Sequence, residues 1–92
     1  MPWTKNVEIP GQRSHGAAAL CEFERKLHLV HQGDTSNDLW HSFYDGSTWS
    51  KNVRIPNQSS KSPAALAVFG GRLHMVHLGQ TSNKIWHSTF DG

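Results

Sequence analysis

The 92-residue chain writes one stretch twice, LHLVHQGDTSNDLWHS from Leu27 to Ser42 and LHMVHLGQTSNKIWHS from Leu73 to Ser88. Setting Trp3 against Trp49 extends the match at a fixed offset of 46 residues, with 25 identities over 44 pairs and no gap. Pro10 falls on Pro56, Phe23 on Phe69, Trp40 on Trp86 and Gly46 on Gly92. A period between about 20 and 50 residues marks a repeat architecture, in which neighbouring units bury each other's apolar faces. The expected organisation is two copies of one unit, residues 1–46 and 47–92, which together make one partial domain.

Each unit reads as strands. WTKNVEI from Trp3 to Ile9 alternates apolar and polar positions, WSKNVRI repeats it from Trp49 to Ile55, and Pro10 and Pro56 are expected to end these strands. AAALCEF from Ala17 to Phe23 and PAALAVF from Pro63 to Phe69 are small-residue apolar runs, which suits strands buried on both sides. Glu24-Arg25 and Gly70-Gly71 then turn the chain back. The duplicated stretch follows as a hairpin: Leu27, Leu29 and His31 share one face of the first strand, His28 and Val30 take the other, and the polar cluster from Gly33 to Asn37 makes the turn.

Four strands per unit, grading from apolar to half-wet, predict an all-β fold of two four-stranded β-propeller blades per chain. The Trp3–Ile9 strand precedes its own unit as an outer strand, so the second blade is expected to take its outer strand from an N-terminal segment. Two blades leave apolar faces and raw strand edges uncovered. The expectation is therefore a homo-oligomer, a trimer or tetramer, whose chains lend their first strands to one another and close a six- or eight-bladed propeller. Net charge is only +2, but residues 1–46 carry −2 and residues 47–92 carry +4, so successive units attract head to tail. That balance argues against a nucleic-acid partner.

The run A-A-L-A-x-F-x-x-x-L-H-M-V-H-x-G-x-T-S-N-x-I-W-H-S-x-F-D-G resembles the repeat of bacterial and fungal β-propeller lectins, above all the Photorhabdus-type fucose-binding lectins. The likeness covers the whole chain and implies a multivalent carbohydrate-binding protein with pockets between blades. Glycans, fucose or a related monosaccharide, are the partners it implies. His31 and His77 stand where that repeat more often has Arg.

Sugars are held by an aromatic face against their C–H side and by amide, hydroxyl or imidazole groups at their hydroxyls. Trp3, Trp40, Trp49 and Trp86 offer the first. His31, Ser36 and Asn37, with His77, Ser82 and Asn83, lie near Trp40 and Trp86 in sequence and offer the second. Packing between blades is the competing role for each Trp, and capping of its own turn the competing role for Thr35-Ser36-Asn37.

Other chemistries find little footing. His28 and His31 point to opposite faces of a strand and cannot chelate together, and although His41 and His87 could meet a His on a neighbouring strand, no Cys or carboxylate repeats beside them. No metal and no cofactor are expected. The one duplicated carboxylate, Asp45/Asp91, precedes Gly in a turn, so no pair of placed acids exists and no enzyme is expected. Lone Cys21, matched by Ala67, reads as a small buried group. Neither a signal peptide nor a membrane-spanning stretch is read, which points to a cytoplasmic protein or one released without a classical signal. The alternative function is a structural or protein-interaction propeller, or a two-blade fragment of a longer lectin.

Overall fold

A computed structural model describes residues 3–92; the first two residues of the first unit lie outside that range. The described residues are all-β, with seven antiparallel strands in two sheets. Sheet one runs β1 (Ala19–Phe23), β2 (Lys26–Gln32), β3 (Asp38–Tyr44) and β4 (Val53–Ser59) in that order. Sheet two runs β5 (Ala65–Phe69), β6 (Arg72–Leu78) and β7 (Ile85–Phe90). No helix among the described residues is long and apolar enough to cross a membrane.

The two copies fold alike where their sequences agree. β1 pairs β2 with Phe23 opposite Lys26, and β5 pairs β6 with Phe69 opposite Arg72, so both tight turns hold two residues. All four turn residues have positive φ: Glu24 at 51° and Arg25 at 65°, Gly70 at 62° and Gly71 at 77°. That is the twist-matched hairpin turn, natural for Gly-Gly and strained for Glu-Arg. The duplicated hairpin keeps one register in both copies, His31 opposite Trp40 and His77 opposite Trp86.

Sheet one is finished by the other unit. β4 belongs to the second copy in sequence, yet it pairs with β3, placing Arg54 opposite Trp40 and Val53 opposite His41. Sheet boundaries and repeat boundaries therefore do not coincide. β4 also runs later than its alternation suggests, through Pro56 to Ser59, while Trp49 makes only an isolated bridge to Tyr44. Pro56 is tolerated because β4 is an edge strand and the register shifts between Asp38 and Trp40, where Asn57 takes φ 61°.

Trp3–Ile9, expected as a strand, forms none. Within the chain β4 already holds the β3 edge, and the segment lies beside Leu29 and His31 of sheet one, away from the open β7 edge of sheet two. The expected double burial of the small-residue strands is not seen either: Leu20 and Val68 are largely exposed, because β1 and β5 lie against each other on one side only.

The core sits between the sheets. Val30, Leu39 and Met75 are buried, with Ile55, Ala64 and Leu66 packed against them. Sheet one thus covers its Phe23–His28–Val30–Leu39–His41 face, whereas the matching face of sheet two lies open: Leu39 is 0% exposed and its counterpart Ile85 is 74% exposed. Leu39→Ala should cost about 2–5 kcal/mol in chemical denaturation, the usual range for a fully buried leucine. Replacing Glu24-Arg25 by Gly-Gly should stabilise by about 1 kcal/mol, read as a rise in Tm of several degrees.

Candidate functional site

Glycine lets the hairpin turn close over an indole. A Cβ on Gly33 would sit 2.6 Å from Ser36 Oγ and 3.3 Å from Trp40 Nε1, and one on Gly79 would sit 2.5 Å from Ser82 Oγ and 3.2 Å from Trp86 Nε1. Both turns are pinned by the same two bonds. Gly33 N–H donates to Asp38 O at 3.0 Å and Gly79 N–H to Lys84 O at 3.0 Å, while Ser36 and Ser82 Oγ accept from the N–H of Asp38 and Lys84, each at 3.4 Å. Ser36 and Ser82 therefore do cap their own turns.

Beside each Trp a histidine is locked from both ends. His31 Nδ1 lies 2.6 Å from Gln32 O and its Nε2 lies 3.2 Å from Asn52 Oδ1. His77 Nδ1 lies 2.8 Å from Leu78 O, but its Nε2 faces Gln58 Oε1 at 3.2 Å. A carbonyl can only accept, so Nδ1 donates in both rings and the neutral Nε2 is an acceptor. The amide opposite it, Asn52 or Gln58, then satisfies it with its NH2 group, the oxygen and nitrogen of an amide being interchangeable in such an assignment.

These groups open onto two clefts at the same place in each copy. Cleft one, about 480 Å3, brings together His31, Gly33, Asp34, Ser36 and Trp40 with Arg13 and Asn52. Cleft two, about 260 Å3, brings together His77, Gly79, Gln80 and Trp86 with Gln58 and Ser59. A third cavity of about 120 Å3, lined by Val30, Ile55, Leu66, Met75 and Phe90 among others, is packing space between the sheets.

Of the sequence-predicted residues, His31, Trp40 and Ser36 converge in cleft one, and His77 and Trp86 in cleft two. The others lie elsewhere. Trp3 is 99% exposed. Trp49 stacks at a tilt on Tyr44, centroids 5.2 Å apart. Asn37 accepts from Ser60 N–H through its backbone, Asn83 Oδ1 takes the Lys61 ammonium, and Ser82 does not reach the cleft lining. The missed contributors are Arg13 and Asn52 in cleft one and Gln58 and Ser59 in cleft two. Asn52 lies within the outer-strand sequence of the second copy and is brought in by the pairing of β4 across the repeat boundary, whereas Arg13, Gln58 and Ser59 follow the outer-strand sequences of their own copies.

A second constellation also repeats. His28 Nδ1 meets His41 Nε2 at 2.9 Å and His74 Nδ1 meets His87 Nε2 at 2.8 Å, ring planes within 6° and 7°. His74 Nε2 donates to Phe69 O at 2.9 Å, so its Nδ1 is left to accept from His87. His28 leans on the Phe23 carbonyl in the same way. The first pair is packed against Phe90 of the other sheet, 5.6 and 5.2 Å between centroids. Among the described residues no group of three or more His, Cys, Asp or Glu is placed to hold a metal. The Asp45 carboxylate accepts from the N–H groups of Thr48 and Ser47, which hold its pKa below the ordinary value, so it acts as a turn residue.

No family model, curated protein or solved structure matches the chain.

Burial lowers the pKa of both His28 and His41 below the ordinary 6.5; the neighbouring Lys26 adds to the effect at His28, and His28 does so at His41. Below about pH 6.5 the unfolded chain then binds more protons than the folded one, so stability is full above that pH and lost as pH falls. Melting temperature should drop between pH 7.5 and 5.5, and His41→Gln should flatten the slope.

Proposed function

We propose that the chain is a sector of a multivalent β-propeller lectin, three or four copies closing a ring of six or eight blades. The observation that carries this reading is the recurrence, at one 46-residue offset, of a glycine-cradled Trp beside a doubly anchored His at the mouth of a cleft. Such a cleft has the two halves of a saccharide site, an indole to lie under a sugar ring and fixed polar groups to hold its hydroxyls. In cleft one those groups include the Arg13 guanidinium, the Asp34 carboxylate and the Asn52 amide. Each site alone would bind weakly, and a ring would gain avidity on a glycan-coated surface. A fucose-class monosaccharide is the first ligand to try, on the strength of the repeat's likeness to fucose-binding propeller lectins.

The interaction-module reading draws on one observation, the open apolar face at Phe69, Val76 and Ile85. The ring reading assigns that face to contacts between copies, and the same experiment separates the two readings. On a glycan array the protein should give signal above background, and titration with methyl α-L-fucoside and other methyl glycosides should identify the sugar. Trp40→Ala together with Trp86→Ala should weaken binding at least about tenfold, about 1.4 kcal/mol, with an unchanged circular-dichroism spectrum. A blank array, or binding that survives both substitutions, would overturn the lectin reading.

A further inference from the structure

The two clefts are not equally complete. In cleft one the Nε2 of His31 is held by Asn52, which lies just ahead of β4 and is brought there by the pairing of β4 with β3. In cleft two the matching Nε2 of His77 is held by Gln58. Gln58 has another role by analogy with the first copy, where Gln12 receives the Ser42 hydroxyl at 3.0 Å and leaves His31 alone. The Ser88 hydroxyl lies 3.4 Å from the same Gln58 amide atom, so Gln58 stands between two partners where Gln12 serves one. The 46-residue offset carries Asn52 back onto Asn6.

Resting on the ring reading above, we propose that cleft two is completed by a second copy of this chain. The Trp3–Ile9 stretch of that copy pairs with the β7 edge, its Asn6 takes the Nε2 of His77, and Gln58 is released to Ser88. The donor cannot be the same chain. Val7 and Ile9 lie beside Leu29 and His31, on the face of sheet one turned away from sheet two. β7, meanwhile, is an unpaired edge of sheet two, at the position β3 would hold in sheet one without β4.

Three features fit the donor to the acceptor. Gly11, the counterpart of Asn57, already holds the left-handed turn that the β4 bulge requires, φ 71° against 61°. Exposed Trp3 is the counterpart of Trp49, whose partner Tyr44 corresponds to Phe90 on β7. At the internal seam Arg54 sits opposite Trp40, two residues along β3 from Asp38; at the new seam Glu8 sits opposite Trp86, two residues on from Lys84, which immediately precedes β7. Both signs reverse together, so opposite charges still face each other diagonally. Arg13 then falls opposite Lys84, the one like-charged rung of this register.

The β4 register transposes to Val7 opposite His87. In a Cys21→Ala background, Val7→Cys with His87→Cys should oxidise to covalent dimers and larger species that reductant dissolves. Val53→Cys with His41→Cys, the matching pair inside one chain, should close within the monomer and sets the yield to expect. Wild-type protein at about 100 μM should sediment as an oligomer. In that oligomer Asn6→Leu should shift the His77 imidazole nitrogen resonances and leave those of His31 in place, and Asn52→Leu should do the reverse. A monomeric wild type overturns the proposal, as does a control pair that closes while the Val7/His87 pair does not, or a His77 resonance indifferent to Asn6. Cross-linking without glycan binding would instead leave the proposal standing and remove the lectin reading.

Discussion

The structure turns on a strand that crosses the repeat boundary. β4 is written in the second copy and spent on the first, and everything that makes sheet one look finished follows from it. It satisfies the outer edge of β3, carries Ile55 into the core between the sheets, and brings Asn52 against His31. Unpaired edges leave backbone donors and acceptors waiting for any strand that fits. Sheet two, with the same sequence pattern and no fourth strand, ends on such an edge at β7.

The same asymmetry governs the faces. Trp40 is half-buried while Trp86 is 55% exposed, and Val30 is 3% exposed where Val76 is 40%. Sequence does not explain these differences, because the side chains match; what differs is the presence of a neighbour. Each sheet offers a Phe–His–Val face and an opposite Leu–Leu/Met face, and the core of this chain is one of each brought together. An interface of that kind is heterologous, and on the proposed reading its repetition by rotation closes a ring.

Much of this was legible in the sequence, and the parts that were not share a cause. The hairpins from Leu27 to Ser42 and from Leu73 to Ser88, their turns, and the opposite facing of His28 and His31 follow from alternation and turn chemistry alone. So does the approach of His41 to a histidine one strand away. Alternation fails where pairing decides: the stretch from Trp49 has the same pattern as that from Trp3, yet only its later part, Val53 to Ser59, becomes a strand, because a bulge at Asn57 and the β3 edge hold it there. Half of cleft one was legible for the same reason. Trp40, Ser36 and His31 belong to one hairpin, but Asn52 arrives across the β3–β4 seam and Arg13 from the loop ahead of β1, placements that no local pattern reveals.

The clefts share an architecture but not a charge. Arg13 and Asp34 line the first, and the residues at their places in the second are Ser59 and Gln80, so one mouth holds both signs and the other holds neither. The groups that match, a glycine under an indole and a histidine fixed at both nitrogens, are those whose geometry the fold dictates. Of the groups that differ, Arg13, Asp34 and Gln80 lie in loops, where packing leaves identity free, and Ser59 ends the edge strand β4. On the proposed reading, a closed ring of identical chains therefore alternates two kinds of site. The matched groups set a common platform for the ring of a sugar, and the unmatched ones decide which substituents each site accepts.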